Sequence, residues 1–350
     1  MTSFCSQNRN IKLNTLINNI SVCKNTIYNF FIYMIEYTVA IRTLGRAGLK
    51  YQKLLDSLSK QTIRPTAINI YIAEGYPIPK ETIGIERYIY VKKGMVSQRA
   101  LTFTEIDTEY ILFLDDDLSF PSDTVEKMFR LLFDNGADII SPDIFKNSER
   151  PFISRILMFL SGRMNARKND DYWGYKVMRN SGYSYNIHPK KEVYWSQTNA
   201  GACFLCRKND FLKIKFEEEL WLDDMNYALG DDQVMFYKMY KKGLKILTWY
   251  TNNFVHLDGG ENMQDDKKKQ VIYADFRFKI VFWHRFIYSP ERKKILIMWD
   301  ILCMTYTLCF TLLISFFKLN FDILRIKWNA IHDAIIFLRS SKYQQIPLIK

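Results

Sequence analysis

The stretch TEYILFLDDDLSFPSDT, residues 108–124, runs from an unbroken apolar segment straight into three consecutive aspartates. No turn residue separates Leu114 from Asp115, so the acids stand at the end of what reads as a buried strand, YILFL (110–114). A chain of 350 residues with a formal net charge of +12 places its densest acid cluster there. In an extended strand side chains alternate faces, which puts Asp115 and Asp117 on one side and Asp116 on the other. Two carboxylates held close on one face repel unless a cation neutralises them. A hard divalent ion with oxygen ligands, Mn or Mg, meets that need and keeps positions open for substrate phosphates. The competing reading is a solvated acidic turn that caps the next helix.

Around this strand the chain alternates two kinds of segment. YTVAIRT (37–43), AINIYIA (67–73), RYIYV (87–91), ADIIS (137–141) and LKILTWY (244–250) read as strands. GLKYQKLLDSLSKQ (48–61), MVSQRALTFTEI (95–106) and GDDQVMFYKMYKKG (230–243) read as helices. Another helix, capped by Ser122 and ended by Asn135-Gly136, carries Val125, Met128, Phe129 and Leu132 on its apolar face. Strand, helix, strand in repetition predicts an α/β domain: a mostly parallel central sheet, Rossmann-like, with helices on both faces. Ligands of such sheets bind beyond the carboxyl ends of the strands, where the aspartates fall.

Composition narrows the partners. At 48% hydrophobic and 15% aromatic the chain is no disordered tail. Its positive charge calls for an anion, but the basic residues form short clusters such as Lys267-Lys268-Lys269, so no nucleic-acid partner is expected. Six scattered cysteines make no disulfide framework, and Cys203 and Cys206 lack the second pair a zinc site needs. The loop TLGRAG (43–48) lacks both the dinucleotide glycine pattern and the phosphate-loop lysine. Residues 1–35 read as an N-terminal extension without a secretory signal.

As an ordered set, ILFLDDD, preceded by KKGMVSQRAL (92–101) and followed by NAGACFLCRKNDF (199–211), FEEELWLDD (216–224), GDDQ (230–233) and VHLDGG (255–260), resembles the family-2 inverting glycosyltransferases of GT-A fold. The likeness spans about Tyr37 to Gly260 and is closest to bacterial enzymes of surface-polysaccharide assembly. It implies a GT-A catalytic domain over 36–265 and a nucleotide-sugar donor, uridine-diphosphate-linked by family habit. Asp115 matches the acid that contacts the nucleoside, and Asp117 matches the ligand of Mn or Mg beneath the diphosphate. Asp116 assists either, and Asp115 itself is a second candidate metal ligand. Arg42 and Thr43 fall where the nucleotide pocket begins, and Glu74 falls where the family places an aspartate facing the base. Arg99 matches the arginine of a family segment whose asparagine is Ala100 here.

Asp232 matches the family's general base, with Asp231 in place of the usual glutamate. A base must be a carboxylate within reach of the acceptor hydroxyl, and a helix N-terminus favours its charged form. Ordinary capping acids are the rival reading. His256 matches a third metal ligand, Gly201 leaves room for the donor sugar, and Trp195 either stacks on a sugar or is plain core. Asp223 and Asp224 flank the acceptor in this reading. Residues 145–192, basic and aromatic, read as an insertion on the acceptor side or as a surface excursion.

Residues 266–350 form a helical tail. The segment 295–317 carries one charge, Asp300, and is long enough to span a bilayer. The segment 321–339 is amphipathic, with Phe321, Leu324, Trp328, Ile331, Ile335 and Leu338 in one stripe. Together they suggest attachment to the cytoplasmic face of the cell membrane, where a glycan or lipid-linked acceptor would be met. Packing on the catalytic domain is the soluble alternative. Two rival functions remain at this stage: a nucleotidyltransferase that makes nucleotide sugars, and a non-catalytic membrane-tethered glycan-binding module.

Overall fold

A computed structural model describes residue 32 and residues 34–349, apart from 146–149, 165–171, 187, 226–228 and 258–264. The N-terminal extension and the Asp258-Gly259-Gly260 end of the last motif therefore lie outside the described residues. At the centre is an eight-stranded sheet in the order β3-β2-β1-β4-β10-β6-β11-β9. Its strands are β1 (Tyr37–Thr43), β2 (Ala67–Ala73), β3 (Glu86–Val91), β4 (Tyr110–Asp115), β6 (Ile139–Pro142), β9 (Val193–Ser196), β10 (Cys203–Arg207) and β11 (Ile246–Trp249). Two short pairs lie apart: β5 (Leu118–Ser119) with β12 (Val255–His256), and β7 (Tyr175–Val177) with β8 (Ser184–Asn186).

Strands β1 to β4 run parallel to one another, as do β6 and β11. β10 is antiparallel to both β4 and β6, and β9 is antiparallel to β11. The sheet is buried on both faces, which is why its strands are apolar without alternation. Ile41, Leu112 and Leu205 face the cluster that includes helices α1 (Leu49–Ser59) and α2 (Thr124–Asp134). Ala40, Phe113 and Phe204 face the opposite cluster. Cys203 and Cys206 fall in these two different clusters, so they cannot share a metal ion.

Several local readings need correction. The segment 95–106 is not a helix but a series of turns. Its Val96 and Ser97 amides donate to Asp223 at 2.8 and 2.9 Å, but the Leu101 amide turns back to the Arg99 carbonyl at 2.9 Å and Phe103 takes a left-handed φ of 50°, so no helix continues. Helix α2 starts at Thr124 with Asp123, not Ser122, at the N-cap; the Asp123 side chain makes no capping bond, and Gln61 Oε1 accepts from the Val125 amide at 3.0 Å. The aspartate alternation also fails, because β4 stops at Asp115 and residues 116–117 turn into β5.

After α3 (Phe152–Leu160), α4 (Lys208–Lys213) and α5 (Asp231–Lys241), the tail forms α6 (Asp265–Trp283), a π-turn (His284–Tyr288), α7 (Lys294–Phe317), α8 (Phe321–Arg339) and α9 (Ser341–Gln344). This tail is not a separate body. Phe278, Phe282, Phe286, Met304 and Ala334 share one buried cluster with Phe204, Phe211 and Met235 of the sheet domain.

A buried ionic junction reinforces the union. Glu219 accepts from Arg285 of the π-turn at 2.6 and 2.8 Å and from Lys238 of α5 at 2.9 Å. All three are nearly inaccessible to solvent. Burial alone would raise the Glu219 carboxyl, but Arg285 and Lys238 hold it below the usual range. Removing Glu219 leaves Arg285 buried without its carboxylate and Lys238 with Glu218 alone, so Glu219→Ala is expected to cost about 3–5 kcal/mol in urea unfolding. A loss below about 1 kcal/mol, the value of an exposed pair, would contradict this junction.

Candidate active site

The register of the sheet builds the site. Arg42 on β1 lies directly beside Asp115 on β4. The two side chains meet in a bidentate pair, Nε to Oδ1 at 2.5 Å and Nη2 to Oδ2 at 3.1 Å. Because β10 enters antiparallel with Cys203 opposite Leu114, the loop before it passes over the end of β4. There the Asp115 amide donates to the Ala202 carbonyl at 2.8 Å.

Arg99 is the second cation of the cluster and is only 3% exposed. It donates to the Gly201 carbonyl at 2.6 Å, to Asp115 at 3.3 Å, to Asp231 at 3.2 Å and to Asp232. Arg42 also reaches Asp231, at 3.3 Å. Two guanidinium groups therefore hold three carboxylates drawn from β4 and the first turn of α5. Burial alone would raise Asp115, but Arg42 and Arg99 keep its carboxyl below the ordinary value. Asp231 goes the other way: burial, then the charge of Asp232, push it up to about 6. The Asp231 side chain is 6% exposed and that of Asp232 is 32% exposed. Of the pair, Asp232 is the one open to an incoming group.

Next to this cluster lies a cavity of about 680 Å³, within the range of small-molecule sites. Arg42, Thr43, Asp115, Asp116, Asp117 and His256 line it, six of the residues singled out by sequence. Thr43 donates to Asp116, whose carboxyl burial pushes up to about 6 against that bond. Asp117 and His256 are brought together by the β5–β12 pair, with His256 Nε2 3.1 Å from Asp117 Oδ2. Asp117 Oδ1 is buried and has no hydrogen-bond partner among the described residues. Among the described residues no three His, Cys, Asp or Glu side chains converge into a complete metal cage.

Sequence reasoning missed part of the cavity wall. Arg46 and Lys50 come from the loop and helix after β1, and Lys93 from the turns after β3. Together they put three cations around a site whose floor is acidic. TLGRAG was weighed for its glycines, while its arginine is what reaches the cavity. Asp223, read as an acceptor-side residue, lines the cavity and also clamps the 94–97 turn by accepting from the Val96 and Ser97 amides and the Ser97 hydroxyl. A Cβ on Gly94 would stand 2.2 Å from that carboxylate. Glu74 is exposed after β2 and is not part of the cavity wall, so the structure does not bring it to the site. Trp195 lies on β9 at the far edge of the sheet and packs against the core.

An antiparallel strand set into a mostly parallel sheet, with an arginine-bound acid cluster at the strand ends beside a cation-rimmed cavity, is the arrangement of a GT-A-like fold. Residues 86–213 match the family described as Glycosyl transferase family 2. That is the family its ordered motifs resemble, and the match covers the part of the chain from β3 to α4. Among solved structures, S. aureus TarS is similar at 11% identity and a TM-score of 0.42, over 77% of this chain and 43% of TarS. The chain thus spans less than half the length of that protein. The S. aureus TarS 1–349 structure is similar at 12% identity and a TM-score of 0.47, over 86% of this chain and 80% of that one. No curated protein matches the sequence.

Gly201 has a steric role. A Cβ there would sit 2.0 Å from Asp232 Oδ1 and 2.9 Å from Arg99 Nη1. Gly201→Ala must push α5 or Arg99 away, an overpacking expected to cost about 1–3 kcal/mol in thermal unfolding and to depress turnover. A variant that melts and turns over like the parent would place the loop farther from α5 than it stands here.

Proposed function

We propose that the protein is a metal-dependent inverting glycosyltransferase that moves a sugar from a nucleotide-sugar donor to a hydroxyl of a glycan or lipid-linked acceptor. Surface-polysaccharide assembly is the setting its motifs favour, and a uridine-diphosphate sugar is the donor class. The observation that carries the reading is the orphaned, buried Asp117 Oδ1 beside His256, facing a cavity rimmed by Arg46, Lys50 and Lys93. A buried carboxylate oxygen without a partner is costly unless a ligand completes it.

Asp117 and His256 would hold Mn or Mg, with diphosphate oxygens and water completing the shell, the usual arrangement for an ion that keeps several waters. Such an ion supplies charge stabilisation to the departing diphosphate. Asp115 suits metal binding less well, since both its oxygens are taken by guanidinium groups. It serves instead to set Arg42 and Arg99. The three rim cations bind the diphosphate electrostatically, where a fixed positive site is worth more than in water. Asp232 takes the proton of the acceptor hydroxyl as that oxygen attacks the anomeric carbon from the face opposite the leaving group. One displacement inverts the configuration, and no covalent sugar–enzyme species is required.

A panel of nucleotide sugars, assayed for nucleoside diphosphate release with Mn or Mg, tests this. Asp117→Asn is expected to lose metal-dependent donor binding. Asp232→Asn should bind donor and turn over about 10²–10⁴-fold more slowly, the usual loss of a general base. Wild-type turnover in both variants would refute the assignment.

The pH profile gives a separate test. Below about 6 Asp231 takes up a proton and its hold on Arg42 and Arg99 weakens, so kcat/KM should fall as pH falls through that value. Asp231→Asn removes the titrating group, and the acidic limb at that value should then disappear. An unmoved limb would assign it to another group.

A further inference from the structure

Helix α7 is inside out for a helix in water. Its buried positions are Asp300, Met304, Thr307, Thr311 and Ser315, four of them polar. Its exposed positions include Ile295, Met298, Trp299, Leu302, Phe316 and Phe317. A helix on a soluble body normally shows the reverse pattern. Only 22% of its most apolar window is buried, at a mean hydropathy of 1.8.

The inward polar stripe is bonded to protein at Asp300, Thr311 and Ser315, while the buried Thr307 hydroxyl has no hydrogen-bond partner among the described residues. Asp300 is fully buried and paired with Arg179, Nε to Oδ1 and Nη2 to Oδ2 both at 2.9 Å. Gly162 lies against Thr307, so closely that a Cβ there would be 2.9 Å from its hydroxyl. Lys327 of α8 donates to Ser315 Oγ at 2.8 Å and to the Thr311 carbonyl at 3.3 Å. A bilayer-crossing helix cannot be clasped from residue 300 to 315 by charged and hydrated protein. The same contacts seat the insertion beside α7, because Arg179 and Gly162 both belong to residues 145–192.

The insertion contributes a second apolar face. Helix α3 ends two residues before Gly162 and buries only Met158. It exposes Phe152 at 75% and Ile153 at 71%, followed by Ile156 and Phe159. Solvent-exposed apolar residues grouped on two adjacent helices mark an interaction surface. Arg292 and Lys293 stand exposed just before α7, Lys294 at its first position and Lys318 just after it. Cations at both ends of an apolar face, with tryptophan on that face, match the headgroup region of an anionic bilayer.

We propose that α3 and the outer face of α7 form one surface that seats the protein in the headgroup layer of an anionic membrane, with α7 lying in the plane. The insertion is then a membrane-docking element joined to the tail by the Arg179–Asp300 pair. This surface is independent of the transfer chemistry, since its readout is lipid binding alone.

Flotation of the full chain with phosphatidylcholine vesicles, with and without phosphatidylglycerol, is the test. The parent chain should float with the anionic vesicles. Phe152→Glu/Ile153→Glu and Leu302→Glu/Phe317→Glu should each lose about tenfold or more of that partitioning, as charges on an interfacial apolar face do. Lys293→Glu/Lys294→Glu should lose the preference for phosphatidylglycerol. Unchanged thermal unfolding in these exposed-site variants separates loss of binding from loss of fold. Parent-like flotation of Phe152→Glu/Ile153→Glu would overturn the shared surface. So would a parent chain that ignores vesicles and instead forms a dimer broken by the same substitutions. Tryptophan quenching by lipids brominated near the headgroups supports the in-plane placement, whereas quenching strongest at the bilayer centre would refute it.

Discussion

Two arginines set among three aspartates are the constraint on which the site depends. Arg42 and Arg99 join β1, the turns after β3, the end of β4, the loop before β10 and the first turn of α5. None of these carboxylates could be buried there alone, because the desolvation of an unpaired charge exceeds what a fold of marginal stability tolerates. Paired, they hold each other in one geometry. The network also divides labour between the acids: Asp115 and Asp231 are spent on structure, Asp232 stays open to solvent, and Asp117, outside the network, stands beside His256.

The helical tail belongs to the same economy of burial. A domain whose sheet has one face covered by α1 and α2 needs something on the other, and α5, α6 and the π-turn supply it. Glu219 ties this layer together through Arg285 and Lys238, so the tail is bonded to the helix that carries Asp232. In α7 the usual rule of polarity is inverted because its polar stripe is used up against the protein. What is left facing outward is the apolar surface that water does not favour.

Much of this was legible beforehand, for a physical reason. Strands buried on both faces are nearly all apolar, so YTVAIRT, AINIYIA and YILFL announce themselves with little need for context. Helices α2, α5, α7 and α8 show their periodicity or their length. The segment 95–106 misled because its Val96, Ala100 and Leu101 spacing suits a helix, yet the Leu101 amide turns back to the Arg99 carbonyl and Phe103 takes a left-handed φ. Similarly, side-chain alternation at Asp115 to Asp117 holds only while the strand continues, and β5 turns the chain away after Asp115. Glu74 was placed by likeness to a family position, and nothing local could tell that its side chain would stay outside the cavity.

By itself the sequence determined which segments are sheet and which acids lie at a strand end, because apolar continuity and the abrupt change to charge are properties of neighbours along the chain. It likewise marked Asp117, Asp232 and His256 as chemically capable. Only the tertiary structure decided that Asp115 is occupied by Arg42 and Arg99, that Asp117 is left with an unbonded oxygen, and that Arg46, Lys50 and Lys93 share one cavity. It alone showed that Asp300 points inward, so that α7 turns its apolar side out. Each of these depends on distance between residues far apart in the chain, and electrostatic pairing and burial are set by that distance rather than by order along the backbone.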